Sequence, residues 1–301
     1  MKKYDLAKIA ASGQCFRMFP VDNKPGVFSI VAFGRYAELT TDPAGDNLYI
    51  VGEHDGLEQQ FWEWYFDDWT DYDKIAARVD PQDEFLQSAL EYGEGIRILR
   101  QEPWEMLITW LISPCNTIRN ITAAVENLCR RYGEKATSVD GVEYYKFPGP
   151  EKLTDAEGLR KCKVGFRAER IAKMARNVAE GKIDINYLIN ADSTAAHNYL
   201  TSIEGIGDKV ASCIRLFGLH DLSAFPVDTW IDKVIKVKYG GKFPIERYQP
   251  AAGVIQQYIY YYGRTLPELQ GGKDNGKVRN KKSYYKIPEE LLIWYGDDYI
   301  F

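Results

Sequence analysis

Lys209 closes the stretch GIGDK (205–209), and Asp228 follows nineteen residues later in FPVDTWIDKVIKV (225–237). A neutral lysine amine is a nucleophile that can attack an electrophilic carbon. A lysine of pKa about 10.4 is only roughly 0.04% neutral at pH 7, whereas a site that lowers the value to about 8 holds roughly 9% as free amine. Desolvation and the positive end of a helix beginning beside Gly207 would both disfavour the ammonium at Lys209. A carboxylate nearby would balance a developing cation. Asp228 follows Pro226 at the N-cap of an amphipathic segment, where helix amides are expected to keep its carboxyl ionised with a low pKa. Taken alone, the same aspartate is accounted for as a cap.

The elements that position these groups are legible in the spacing. Gly205 and Gly207 allow positive φ and close backbone approach, and Lys209, Val210, Cys213, Ile214 and Phe217 recur with helical period. Upstream, STAAHNYLTSI (193–203) opens with a Ser/Thr cap and is also helical, so the unit reads helix, hairpin, helix. Outward-pointing amides of such a hairpin can hold a phosphate without reading base sequence. An ordinary helix-to-helix turn has the same local pattern.

The whole chain has 301 residues, 45% of them hydrophobic, which is enough for two domains or one large one in a soluble protein. No apolar run approaches a membrane span, and the opening MKKYDLAKIAASGQ is too polar for a secretory signal, so a cytoplasmic setting is expected. Five cysteines (15, 115, 129, 162, 213), with no C-x-x-C, argue for free thiols and against a disulfide framework, structural zinc or an iron–sulfur cluster. The net charge of −5 argues against an indiscriminate nucleic-acid binder. Its distribution is uneven. Residues 41–95 carry 15 acids against Lys74 and Arg78, a balance of −13 that leaves +8 elsewhere. RKCKVGFRAERIAKMAR (160–176) holds seven basic residues and one acid, either a solvated helix face or a stripe facing phosphates.

From Gly13 to Gly52, QCFRMFP, GVFSIVAFG, RYAELTT and NLYIVGE alternate with DNKPG, FG and DPAGDN turns and predict an antiparallel sheet. From about 56 to 263 the period is helical, broken at GEG, KFPGP, EGIG and GGKFP. The expected fold is α+β, an N-terminal sheet domain with short helices (1–85) packed on a mainly helical body (86–265). Residues 266–301 read as a glycine-rich basic linker and an aromatic docking tail.

Hairpin, lysine, loop and P-V-D together resemble the helix-hairpin-helix DNA glycosylases. GQCFR (13–17), GFRAERI (165–171) and GVIQQYIYYYGR (253–264) are similar to segments of the 8-oxoguanine DNA glycosylase/AP lyase branch, in family order, over about residues 5–264. The resemblance implies a base flipped out of the duplex, attack by Lys209 with Asp228 as the stabilising carboxylate, and β-elimination of the 3′ phosphate. It further implies that the Gly13 carbonyl accepts the N7 hydrogen of 8-oxoguanine, that Cys213 and Tyr260 sandwich the ring, and that Gln256 bonds its Watson–Crick edge. Gly205 and Gly207 would grip the backbone, while Phe166 and Arg167 would act on the opposite strand. The pattern breaks in ISPCNTIRNIT (112–122), where Cys115 takes the place of an inserted asparagine and Asn120 that of an arginine; Asn116 and Arg119 are each one residue away. Trp230 stands where eukaryotic members carry histidine, which fits a bacterial type. The expected partner is double-stranded DNA with a damaged purine, met by a monomer that needs no metal or organic cofactor for chemistry, although hairpin carbonyls offer a place for a structural cation. The alternatives are a glycosylase for other damaged purines and a non-catalytic hairpin module, which would not require Lys209 and Asp228 together.

Overall fold

In the computed structural model, residues 3–270 are described. Helix α1 (Leu6–Ala11) precedes four strands, β1 (Met18–Pro20), β2 (Phe28–Ala32), β3 (Arg35–Thr41) and β4 (Leu48–Ile50). They form an antiparallel meander in the order β1-β2-β3-β4, with Met18 opposite Ile30, Ile30 opposite Ala37 and Leu39 opposite Ile50. The β2–β3 turn places Phe33 and Gly34 at φ 51° and 71°. Two successive left-handed residues match the twist of a tight hairpin, so the FG dipeptide turns the chain as its position suggests. Phe28, Ile30, Ala37 and Leu39 put one face of the sheet against Trp62, Tyr65 and Phe66 at the end of α2 (Gly56–Tyr65). That aromatic wall gives the sheet its own core.

Short helices α3 (Tyr72–Ala76) and α4 (Glu84–Gly93) lead into the helical body. Its centre is α5 (Pro103–Ile112), buried at every position from Trp104 onward, so the sequence EPWEMLITWLI shows little amphipathic period. Around it lie α6 (Ile118–Tyr132), α7 (Ala156–Arg160), α8 (Ala168–Ala179), α9 (Ile185–Asn190), α10 (Ser193–Ser202), α11 (Asp208–Gly218), α12 (Thr229–Tyr239) and α13 (Ala252–Gly263). The short α14 (Pro267–Gln270) follows, with Leu269 buried. Glycines set the closest crossings. A Cβ at Gly93 of α4 would sit 2.6 Å from the Tyr258 ring of α13.

The α+β expectation holds, with one departure in the segment expected to be helical throughout. Strands β5 (Lys135–Thr137) and β6 (Glu143–Tyr145) pair antiparallel around a turn with Gly141 at φ 81°. Tertiary contact overrides the local pattern there: Tyr144 stacks on Tyr36 at 5.5 Å and its hydroxyl donates to the Gly34 carbonyl at 3.0 Å, tying the ribbon to the sheet. The expected docking tail lies outside the described residues beyond 270. Among the described residues, no helix is long and apolar enough to cross a membrane.

Candidate active site

The hairpin unit is α10, the turn 203–207 and α11. The N-cap of α10 is Asp192, whose carboxylate accepts from the Ala195 amide at 2.8 Å, so the cap lies one residue before the Ser/Thr pair expected to supply it. Only one of the two glycines needs positive φ. Gly205 adopts φ 90°, and a Cβ there would fall 2.4 Å from Arg170 Nε. Gly207 is extended at φ −95° and caps α11, and a Cβ there would meet nothing within 4 Å. Its smallness leaves an open approach to the N-terminal amides of α11.

Lys209 is the second residue of α11 and half-buried. Its Nζ lies 3.3 Å from Ser113 Oγ at the C-terminal end of α5 and 4.9 Å from the centroid of the Trp110 ring. The ring is fixed by stacking on Phe217 at 5.2 Å and by an edge contact with Phe16. Asp228 does cap α12: its Oδ1 accepts from the Trp230 and Ile231 amides at 3.0 and 2.8 Å. The expectation of a low carboxyl pKa fails. Burial pushes Asp228 above the usual aspartate value, outweighing the downward pull of the two amides and of Lys209.

A narrow cleft of about 110 Å³ brings these groups together; Lys209, Asp228, Gly13, Cys213, Gln256, Tyr260 and Asn116 all line it. Gly13 sits at φ 77°, and a Cβ there would stand 3.2 Å from Ile118 Cδ1 and 3.4 Å from the Tyr260 ring. Its loop is pinned on both sides, by Gln257 Nε2 donating to the Ser12 carbonyl at 2.6 Å and Gln101 Nε2 donating to the Gln14 carbonyl at 2.9 Å. Cys213, one turn beyond Lys209, is 2% exposed, and burial pushes its thiol up to about 12, so it remains protonated at neutral pH. Gln256 is 4% exposed; its Nε2 donates to the Pro226 carbonyl at 3.0 Å, while Oε1 has no partner among the described residues. Burial also raises the Tyr260 hydroxyl. Lining the cleft, the Gln256 acceptor is available to a hydrogen-bond donor on a bound molecule.

Outside the cleft mouth, Phe166 is 75% exposed on a 3₁₀ turn. Arg167 behaves differently from its neighbour. The residue is 6% exposed; its guanidinium lies over the Phe166 ring at 4.3 Å and donates to the Pro114 and Cys115 carbonyls. In the same loop Cys115 is exposed at φ 52°, and Asn116 Nδ2 turns back to the Ile112 carbonyl at 3.2 Å. Arg119 and Asn120 are exposed on the first turn of α6. The basic stripe 160–176 presents Arg160, Lys161, Lys163, Arg170, Lys173 and Arg176 on the surface.

The residues around Lys209 that sequence reading did not single out are Ser113 and Trp110. They stand about a hundred positions upstream in an apolar run, and a lone serine ending such a run carries no signal for a lysine on another helix. Among the described residues, no group of three or more His, Cys, Asp or Glu could hold a metal ion.

The N-terminal domain of 8-oxoguanine DNA glycosylase matches residues 1–107. A Saccharomyces cerevisiae N-glycosylase/DNA lyase is 30% identical over 269 residues, covering 78% of this chain and 68% of the yeast protein. A probable N-glycosylase/DNA lyase of Methanothermobacter thermautotrophicus is 29% identical over 214 residues, 61% of this chain and 68% of that one. The 8-oxoguanine glycosylase/lyase of Clostridium acetobutylicum, in complex with double-stranded DNA containing cytosine opposite 8-oxoguanine, superposes with a TM-score of 0.79 at 31% identity, over 88% of this chain and 93% of that one. Likeness of this extent, sustained through both the sheet and the helical body, makes the chain a member of the 8-oxoguanine DNA glycosylase/DNA lyase family.

Proposed function

We propose that the protein excises 8-oxoguanine from double-stranded DNA and then cuts the strand, with Lys209 as nucleophile and Asp228 as the carboxylate that balances the reacting sugar. The observation that carries this reading is the convergence of the Lys209 amine and the Asp228 carboxylate on one cleft that also holds an unmatched buried acceptor, Gln256 Oε1. The hairpin and the basic stripe hold the DNA backbone while the damaged nucleotide leaves the stack, because its glycosidic bond is out of reach inside a duplex.

With the base in the cleft, the bond from C1′ to the base breaks with its electron pair leaving on the base, and the neutral Lys209 amine then bonds to C1′. Asp228, charged, stabilises the positive sugar that develops between the two events. The amine nitrogen passes a proton to the departed base, the ring oxygen takes a proton from solvent as the sugar ring opens, and C1′ is left double-bonded to the lysine nitrogen. Loss of a proton from C2′ then expels the 3′ phosphate by β-elimination. Amine and carboxylate suffice for these steps, so the chemistry calls for no metal or organic cofactor. The Gly13 carbonyl faces the N7 hydrogen that 8-oxoguanine has and guanine lacks. Gln256 Oε1, with its amide nitrogen already engaged at Pro226, accepts from the N–H groups of the Watson–Crick edge. Cys213 as a neutral thiol and Tyr260 flank the ring, and exposed Phe166 fills the place that the base leaves.

The test is strand cutting on duplexes carrying 8-oxoguanine, guanine or an alkylated purine at one position. Cutting of the 8-oxoguanine duplex alone supports the reading. Preference for the alkylated purine would make the protein a glycosylase for other purine damage, and affinity without cutting would make it a binding module.

A further inference from the structure

Ser113 is a buried hydroxyl that lines the cleft beside the nucleophile. It is 7% exposed, and its Oγ has two neighbours: the Trp110 carbonyl at 3.0 Å and Lys209 Nζ at 3.3 Å. A carbonyl can only accept, so the Ser113 proton is committed to Trp110, and toward Lys209 the serine oxygen can only accept. We infer that Ser113 is a positioning residue for Lys209, holding the amine by one of its N–H bonds so that the nitrogen lone pair points into the cleft. This rests on Lys209 being the nucleophile.

The direction of the hydrogen bond is what matters. A hydroxyl free to rotate would donate its proton to a neutral amine and occupy the very lone pair that attacks the sugar. The Trp110 carbonyl removes that option by taking the proton first. The amine, once neutral, then donates to Ser113, and its tetrahedral geometry directs the lone pair away from the serine. The Trp110 ring, 4.9 Å from Nζ and immobilised by Phe217, blocks the side chain from swinging toward α5 and attracts the N–H edge of the amine rather than its lone pair. The same residue pair also serves the uncharged and charged forms alike, since both present N–H groups to Oγ.

The experiment compares Ser113→Ala and Ser113→Thr with wild type in single-turnover excision, duplex affinity and urea melts, using an 8-oxoguanine duplex. Ser113→Ala is expected to slow excision of bound substrate on the order of tenfold, with affinity and melting midpoint close to wild type, because only the orientation of the amine is lost. Ser113→Thr, which keeps a hydroxyl, restores the rate to within about threefold. Wild-type excision in Ser113→Ala, or a slow rate that Thr does not restore, overturns the assignment. A borohydride adduct at Lys209 in the wild-type protein is the control: its absence overturns the Lys209 reading and this role with it, whereas its presence beside a fully active Ser113→Ala overturns the Ser113 role alone.

Discussion

At the residue scale, Asp228 serves structure and chemistry through the same carboxylate. Its Oδ1 takes both amide bonds of the α12 cap, and asparagine is an equally good cap, so Asp228→Asn isolates the charge. Excision should slow by on the order of 10² or more, because an amide cannot balance a positive sugar, while the stability read from a urea melt falls by well under about 1 kcal/mol. An unchanged rate would leave Asp228 a cap only. Burial raises the Asp228 pKa, so the carboxylate that chemistry needs is lost on acidification earlier than for an exposed aspartate. The excision rate should therefore fall as pH drops through that raised value, and the acid limb should vanish in Asp228→Asn; a limb that persists belongs to another group. The capping position was legible in P-V-D followed by an amphipathic run. The raised pKa was not, because it depends on what α13 and α11 bring over the carboxylate.

At the element scale, the hairpin separates two uses of glycine that look alike in G-I-G. Gly205→Ala forces a side chain into φ 90° and against Arg170, and should cost roughly 1–2 kcal/mol of stability by urea melt. Gly207→Ala is free of both problems, so its stability should change less. Its methyl stands in the approach to the α11 amides and should weaken duplex binding instead. Equal stability losses at the two positions would contradict the distinction. The loop from Ser113 to Thr117 carries a second expectation. Cys115 and Asn120 stand where the resemblance places an asparagine and an arginine, and Arg167 is drawn inward onto the Pro114 and Cys115 carbonyls. A bidentate arginine contact to a base edge is worth about 1–3 kcal/mol, so reading of the opposite base should be relaxed. Excision of 8-oxoguanine paired in turn with C, T, G and A should stay within about tenfold; a preference for C above about a hundredfold would show that another group reads the opposite base. Strand positions in 13–52 followed from alternation and turn residues. The β5–β6 ribbon did not, since three-residue strands gain their order from Tyr36 and Gly34, over a hundred positions away.

At the scale of the whole molecule, Arg17 joins the sheet to the helical body. Only 3% of its side chain is exposed; Nη1 lies 3.6 Å from Glu105 of α5, Nε lies 3.6 Å from Glu126 of α6, and Nη2 donates to the Tyr145 carbonyl. Burial pushes the Glu105 carboxyl up to about 7, against the opposing pull of Arg17. Between the ordinary glutamate value and about 7 the folded protein thus holds a proton that the unfolded chain releases, so the contribution of Glu105 is fully present below that ordinary value and is lost as pH rises toward 7. Glu105→Gln should flatten the fall in stability over this interval in urea melts taken across pH; an unchanged slope would assign it elsewhere. GQCFR was legible as a strand entry, but its arginine reaches carboxylates about ninety and a hundred and ten positions on, and sequence pattern has no measure of that reach. The helix starts at Lys209 and Asp228, nineteen positions apart, were legible for the opposite reason: local rules fix both, whereas the roles of the two side chains came only from the family resemblance. The most direct test of the account joins the whole protein to its substrate. Borohydride added during reaction with an 8-oxoguanine duplex should reduce the Schiff base and leave a stable protein–DNA adduct whose attachment maps to Lys209, and Lys209→Gln should give none while still binding the duplex. Full excision by Lys209→Gln, or an adduct at another amine, would contradict it.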